Sequence, residues 1–379
     1  MKIYSIIIAL LVTIISFGQN NVLIKNVKVF DGDNVISKTS VLFENGIISK
    51  ISNRIDVANE KNMYVIDGEG KTLLPALSNA HVHAWAPESL KQAAKAGVLN
   101  VMDMHGFETY QGPMRQLKDS TDYANYYVAG FAATAPEGHG TQFGFSVPTL
   151  SQPEDAKQFI ADRVKANVDH IKIIVEPWKA TLDSATVAEL IKEAHNAEKI
   201  AVVHVSRLED AINVIENDAD GLVHIWWDKA LDSEKLKELS EDQSFFVIPT
   251  LLTTLKAFES FGAGADKFLT KAQLLSEVKK MYDAGIPILA GTDPPNLNIN
   301  YGTDLYKELE LLEASGLPIL EVLKAGTSNI TTAFGLENTG FIKVGFSADL
   351  LLVDGDVTTD IKAIANVNTV WKKGQKVKL

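Results

Sequence analysis

The chain has 379 residues, a formal net charge of −12 and no cysteine. The missing cysteine excludes disulfides, thiolate metal ligands, a cysteine nucleophile and an acylated-cysteine membrane anchor. The acidic balance, with no basic arm or patch, argues against nucleic acid as a partner. It leaves a small-molecule partner, with a homo-oligomer left open.

The chain opens MKIYSIIIALLVTIISFGQNN. Lys2, the apolar run Ile3 to Ile15 and Ser16-Phe17-Gly18 have the form of a secretory signal, with cleavage near Gly18/Gln19. The run is shorter than the roughly 20 residues a membrane span needs. A periplasmic or secreted protein with no stable membrane anchor is expected, and residues 1–18 are excluded from the fold.

Short β-like runs follow. VLIKNVKVF alternates apolar and polar residues, and SVLFENGIISKI reads as two strands joined at Asn45-Gly46. That dipeptide suits a type I′ hairpin, because both turn positions need positive φ. MYVIDGEGKTLL leads into Pro75, and the C-terminus returns to this style, with a turn at Lys373-Gly374. Two ends of one style predict one small β-sandwich domain, built from residues 19–75 and 338–379.

The middle, residues 76–337, alternates strand and helix. Strands are expected at 76–83, 98–103, 126–132, 170–175, 201–205, 221–225, 245–249 and 287–291. Helix-period segments such as SATVAELIKEAHNAEK and LTKAQLLSEVKKMYDAG separate them. Strands with helical crossovers in that number predict an α/β fold, a (β/α)8 TIM-type barrel. The long connection after the third strand carries GHGTQFGF and is expected to cover the site.

Polar residues recur at the C-terminal ends of the predicted strands, where such barrels place their active sites. ALSNAHVHAW gives His81 and His83, two apart and so on one face. HIKIIVEP places Lys172 among β-branched residues; AVVHVS gives His204, GLVHIWW gives His224, and PILAGTDPP gives Asp293. One histidine at a strand end is commonly a hydrogen-bonded structural group. Four of them, with a lysine and an aspartate at equivalent ends, share no structural reason and point to metal.

These motifs, in this order and followed by GFIKVGFSADLLLVDGD, resemble the amidohydrolase superfamily. Within it the chain is similar to the branch of imidazolonepropionase-like proteins and Xaa-Pro dipeptidases. The resemblance implies two divalent metal ions, zinc before manganese or cobalt. His81, His83 and Asp293 would hold the more buried ion, and His204 and His224 the other. Lys172 would carry a CO2-derived carbamate bridging both. A neutral buried lysine is the form that captures CO2, and a carbamate is a hard oxygen donor. A metal-bridging hydroxide would attack the substrate, with Asp293 as proton shuttle.

Lys172 argues against the superfamily's deaminases, which resemble this sequence at the HxH but lack that lysine. The expected function is therefore cleavage of an amide bond in a dipeptide or N-acyl amino acid. A lactonase or phosphotriesterase is the alternative, because such a centre attacks any polarised C=O or P=O. A silent metal-binding module is a lesser one, disfavoured by Asp293. Around the centre, His139 is a candidate for substrate or transition-state contact. Arg207 could clamp a carboxylate or pair with Glu209 or Asp210. Trp85, Trp226 and Trp227 could wall the pocket or pack the barrel rim. His105 is a candidate neighbour of the ligands, His170 should lie deep, and His195 should be solvated. Asn79 stands where many relatives have aspartate, which puts a nearby charge in doubt rather than the metal.

Overall fold

A computed structural model describes residues 21–56 and 63–379. The expected export signal at residues 1–18 lies outside them. Among the described residues no helix is long and apolar enough to cross a membrane.

Strands from both chain ends share one sheet. Its order runs Gln375–Lys376, Val367–Lys372, Leu350–Asp354, Lys71–Pro75, Asn21–Phe30, Val35–Glu44, Ile47–Ser52, with Met63–Asp67 also paired to Asn21–Phe30. The join between the ends is antiparallel, with Leu352 opposite Leu73. The two predicted hairpin turns form as expected. Asn45 and Gly46 have φ of 51° and 84°, and Lys373 and Gly374 have 49° and 72°. Phe43, Ile48, Leu73, Leu350 and Trp371 pack one buried face of this sheet.

Between the ends, parallel strands alternate with helices. Leu77–Val82, Val98–Asp103 and Asn125–Val128 form one parallel sheet. Ile171–Ile174, Ala201–His204, Gly221–Val223 and Phe246–Ile248 form another. Backbone bonds join the two at both seams. On one side Ala133 N–H donates to Lys172 C=O and Ile174 N–H to Ala133 C=O, both at 2.9 Å. On the other, Leu289 N–H donates to Val247 C=O at 2.9 Å and Ala80 N–H to Ala290 C=O at 2.9 Å. The expected strand at 287–291 is thus present as an extended segment with a single bridge, Val247 to Ile288.

The strands are short and apolar on both faces because helices cover them outside and side chains fill them inside. Ala80, Met102, Val202, Val223, Ile248 and Leu289, drawn from six of these segments, form one buried cluster. Helix starts carry the expected chemistry: Asp183 caps Ser184–Asn196, and Thr270 with Gln273 makes a capping box on Lys271–Asp283.

Candidate active site

The site forms where these strands end. Alternation along Leu77–Val82 sends His81 inward, and His83 follows on the same side. Their Nε2 atoms are 3.3 Å apart, and Asp293 Oδ1 lies 3.2 Å from His81 Nε2 and 3.0 Å from His83 Nε2. His81, His224 and Asp293 each bring one ligand atom within 4.8 Å of the others. The His204 ring stands 4.5 Å from that of His224, and the His139 ring 5.1 Å from His204.

Each ligand-type side chain is held from behind. His83 Nδ1–H donates to the His105 carbonyl at 3.2 Å, and Thr250 Oγ1 meets His224 Nδ1 at 2.6 Å. Such partners fix ring orientation and tautomer, as around metal-ligating histidines generally. His224, Thr250 and Asp293 have φ of 66°, 44° and 55°. Left-handed backbone is uncommon outside glycine, least so for aspartate and histidine and most so for a β-branched residue such as Thr250, and it gathers at functional sites. His105 Nδ1 accepts from Ala132 N–H at 3.0 Å while Nε2–H donates to Gly140 C=O at 3.2 Å, so His105 is a neutral brace between two loops.

The electrostatics are those of a site built around cations other than its own. Burial holds His81, His204 and His224 well below the usual histidine range. Burial also pulls Lys172 down to about 7. His83 is the exception: burial opposes its charge, but the Asp293 carboxylate outweighs it and the pKa rises. Burial alone would raise Asp293, yet the hydrogen bond and charge of His83 bring it down. Lys172 Nζ and His81 Nδ1 are buried with no hydrogen-bond partner among the described residues. Such orphaned polar atoms call for an explanation. Crowded neutral imidazoles, a carboxylate and a neutral amine are donors that divalent metal ions would satisfy.

The cavity above has a volume of about 370 Å³, and His81, His83, Lys172, His204, His224, Asp293, His139 and Trp227 all line it. His105 lines it as well, and the remaining candidates lie elsewhere. Trp226, one residue from Trp227, turns into the core and donates Nε1–H to Glu277 at 3.1 Å. Trp85 packs behind the cavity against Phe143 and donates to the His105 carbonyl at 2.8 Å. Arg207 stays outside, with Nε 3.8 Å from Asp210 and its guanidinium over the Trp178 ring. His170 is fully buried against Phe334, and His195 pairs with Asp220 at the surface.

Sequence reasoning passed over Glu176. Its Oε2 is 3.0 Å from His204 Nε2, and its Oε1 accepts from Ser206 Oγ at 2.8 Å. The signal was there: Glu176 lies four residues beyond Lys172, which two-residue alternation carries to the same face. Gln142, Phe143, Thr254, Phe258, Phe261 and Asn296 also line the cavity.

A family model described as the amidohydrolase family matches residues 72–377. The chain belongs to the amidohydrolase family. It is a metal-dependent hydrolase acting on C–N bonds. The chain is 26% identical over 381 residues to a 5-methylthioadenosine/S-adenosylhomocysteine deaminase of Dictyoglomus turgidum, covering 88% of this chain and 84% of that one. A 97-residue stretch, 25% of this chain, is 31% identical to an imidazolonepropionase of Thermoplasma volcanium and covers 24% of it. Among solved structures the amidohydrolase resembles a Xaa-Pro dipeptidase with bound methionine, at 21% identity and a TM-score of 0.80 over 95% of this chain and 100% of that one. It also resembles a molinate hydrolase, at 20% identity and a TM-score of 0.79 over 96% and 95%.

Proposed function

We propose that this amidohydrolase cleaves the amide bond of a small N-acyl compound, of the dipeptide or N-acyl amino acid class, with the help of two divalent metal ions. The observation that carries the reading is Lys172. Its side-chain nitrogen has no hydrogen-bond partner among the described residues, burial brings its pKa to about 7, and it lines the same cavity as His81, His204, His224 and Asp293. A lysine so placed is a poor structural residue and a good carbamate precursor. His81, His83 and Asp293 would hold one ion, His204 and His224 the other, and carbamylated Lys172 would serve both. His224 also stands within reach of the first set. We assign zinc, with manganese or cobalt as substitutes, because the donors are imidazole and carboxylate. Bound ions of this kind polarise a scissile carbonyl and make a strong oxygen nucleophile available from water at neutral pH.

The chain's own residues do the rest. Asp293 takes the proton released as water attacks and returns it to the leaving nitrogen, so that amide and water become acid and amine. His139 faces the cavity and would donate to the oxygen that gains charge. Thr250 and the His105 carbonyl keep His224 and His83 in place. We further infer that the parallel strands form a (β/α)8 barrel, a reading supported by the backbone bonds across both seams, and that the signal-like residues 1–18 direct export. N-terminal sequencing of exported protein should begin near Gln19; full-length chain in the cytosol would refute export.

Deamination is the second reading, favoured by the deaminase named among the relatives across 88% of the chain. The two differ in what leaves. A panel of dipeptides, N-acyl amino acids, adenosine-type nucleosides, lactones and phosphotriesters decides between them. Amine released in step with carboxylate is the expected outcome. Ammonia from a nucleoside without amide turnover would overturn it, and preference for lactones or phosphotriesters would move the enzyme to ester chemistry.

A further inference from the structure

The mouth of the cavity is apolar beyond what hydrolysis requires. The helix Leu251–Phe261 turns Thr254, Ala257, Phe258 and Phe261 toward the cavity. These positions follow the i, i+3, i+4, i+7 spacing of one helix face. Such a stripe normally packs into a core, yet here it borders open space and Phe261 is 46% exposed. Trp227 continues the wall, its ring 5.5 Å from Phe258, 5.8 Å from Phe261 and 4.3 Å from Phe268. Trp178, 54% exposed, stands 5.8 Å from Trp227. Leu297, which also lines the cavity, is 37% exposed and held at a φ of 52°. Exposed apolar side chains gathered at one mouth mark a binding surface, and a leucine held in the left-handed region adds strain at the same place.

We propose that the amide substrate carries a bulky aromatic group seated against Trp227, Phe258 and Phe261. The preferred class is thus aryl-bearing N-acyl amino acids and dipeptides, ahead of their small-chain counterparts. The proposal rests on the amide-hydrolase reading, and a cavity of about 370 Å³ has room for such a molecule.

Two measurements keep the two claims apart. The first is calorimetric binding to the metal-loaded chain, with Asp293→Asn slowing turnover. N-phenylacetyl-glycine or N-acetyl-phenylalanine should bind at least about tenfold more tightly than N-acetyl-glycine. Phe258→Ala and the rim variant Phe261→Ser should each weaken that binding about fivefold or more; Phe261 is exposed enough that the second variant should fold whatever the first does. Binding of N-acetyl-glycine as tight as that of both aryl compounds, or unchanged binding by folded Phe261→Ser, would overturn the proposal. The second is turnover by the metal-loaded enzyme. Phenylacetyl amide bound as described but never cleaved sinks the amide reading and leaves the pocket assignment standing. Amides cleaved with no preference for the aryl-bearing compounds do the reverse.

Discussion

Asn79 Nδ2 donates to Thr292 Oγ1 at 2.7 Å, and Asn79 Oδ1 accepts from the Thr292 backbone N–H at 3.2 Å. The same Oδ1 accepts from His81 N–H at 3.1 Å. One buried side chain therefore ties the strand that carries His81 to the turn that carries Asp293. Asn79→Ala would strand these donors and should destabilise the metal-free protein by roughly 1–3 kcal/mol. Asn79→Asp should cost much less at a pH low enough to keep this buried carboxyl neutral, because its Oδ–H can then donate to Thr292 Oγ1 and every bond survives. Denaturant melts of both variants check this; equal losses would show that the tie is not the reason the residue matters.

The buried amine of Lys172 makes a prediction about pH. Its pKa falls from 10.5 to about 7 on folding through burial. Below that value the folded chain must hold the charge and bears the whole penalty. As pH rises from about 7 toward 10.5 the unfolded chain still binds a proton that the folded chain has released, so the penalty fades and stability grows. Metal-free wild type should gain roughly 3–5 kcal/mol over that window relative to Lys172→Met, which has nothing to titrate. Parallel stability–pH curves for the two proteins would refute the buried amine. With metals restored, Lys172→Ala should lose most activity, and acetate or propionate should return part of it by supplying a bridging carboxylate.

The parts that share a face were the parts legible in sequence. His81, His83 and Lys172 obey two-residue alternation inside apolar strands, so their convergence could be read without coordinates. Glu176 obeys the same rule but precedes Pro177, and that proline reads as the start of a loop. Neighbouring Trp226 and Trp227 could not be separated, because which of them faces the cavity depends on the backbone turn after His224, whose φ of 66° no propensity announces. The stripe at Thr254, Ala257, Phe258 and Phe261 has the period of any buried helix face. Only its position over the strand ends makes it a cavity wall. The segment at 287–291 was expected as a full strand; it makes a single bridge because the chain turns at once into the loop that presents Asp293.

Metal content tests the ligand set directly. Purified protein should carry about two zinc, manganese or cobalt ions per chain, lose activity to a chelator and regain it when one of these is added back. The loaded protein should also melt higher, since an ion that binds only the native state stabilises it by mass action. His224→Ala should lower occupancy more than His139→Ala does, because His224 reaches both His81 and Asp293 whereas His139 belongs to a loop. Elemental analysis finding one ion or none in fully active protein would sink the binuclear reading.

Asp293 allows structure and chemistry to be separated. Its Oδ1 meets His81 and His83 and accepts from Asn296 Nδ2 at 2.9 Å, and its φ is 55°. Asparagine tolerates that left-handed conformation as well as aspartate does, so Asp293→Asn should keep the backbone and one ligand oxygen. What it loses is the ability to take a proton, along with the charge that raises His83. The expected result is a fall in kcat of roughly 10²–10⁴, the usual worth of general acid–base catalysis, with KM changed far less. Part of the metal should remain, because His81 and His83 are untouched. An activated aryl ester, whose leaving group departs without a proton, should lose less than an amide does. If Asp293→Asn held its metals and turned over both substrates at the native rate, Asp293 would be a ligand alone, and the proton would have to travel by another residue of the cavity, His139 being the first to test.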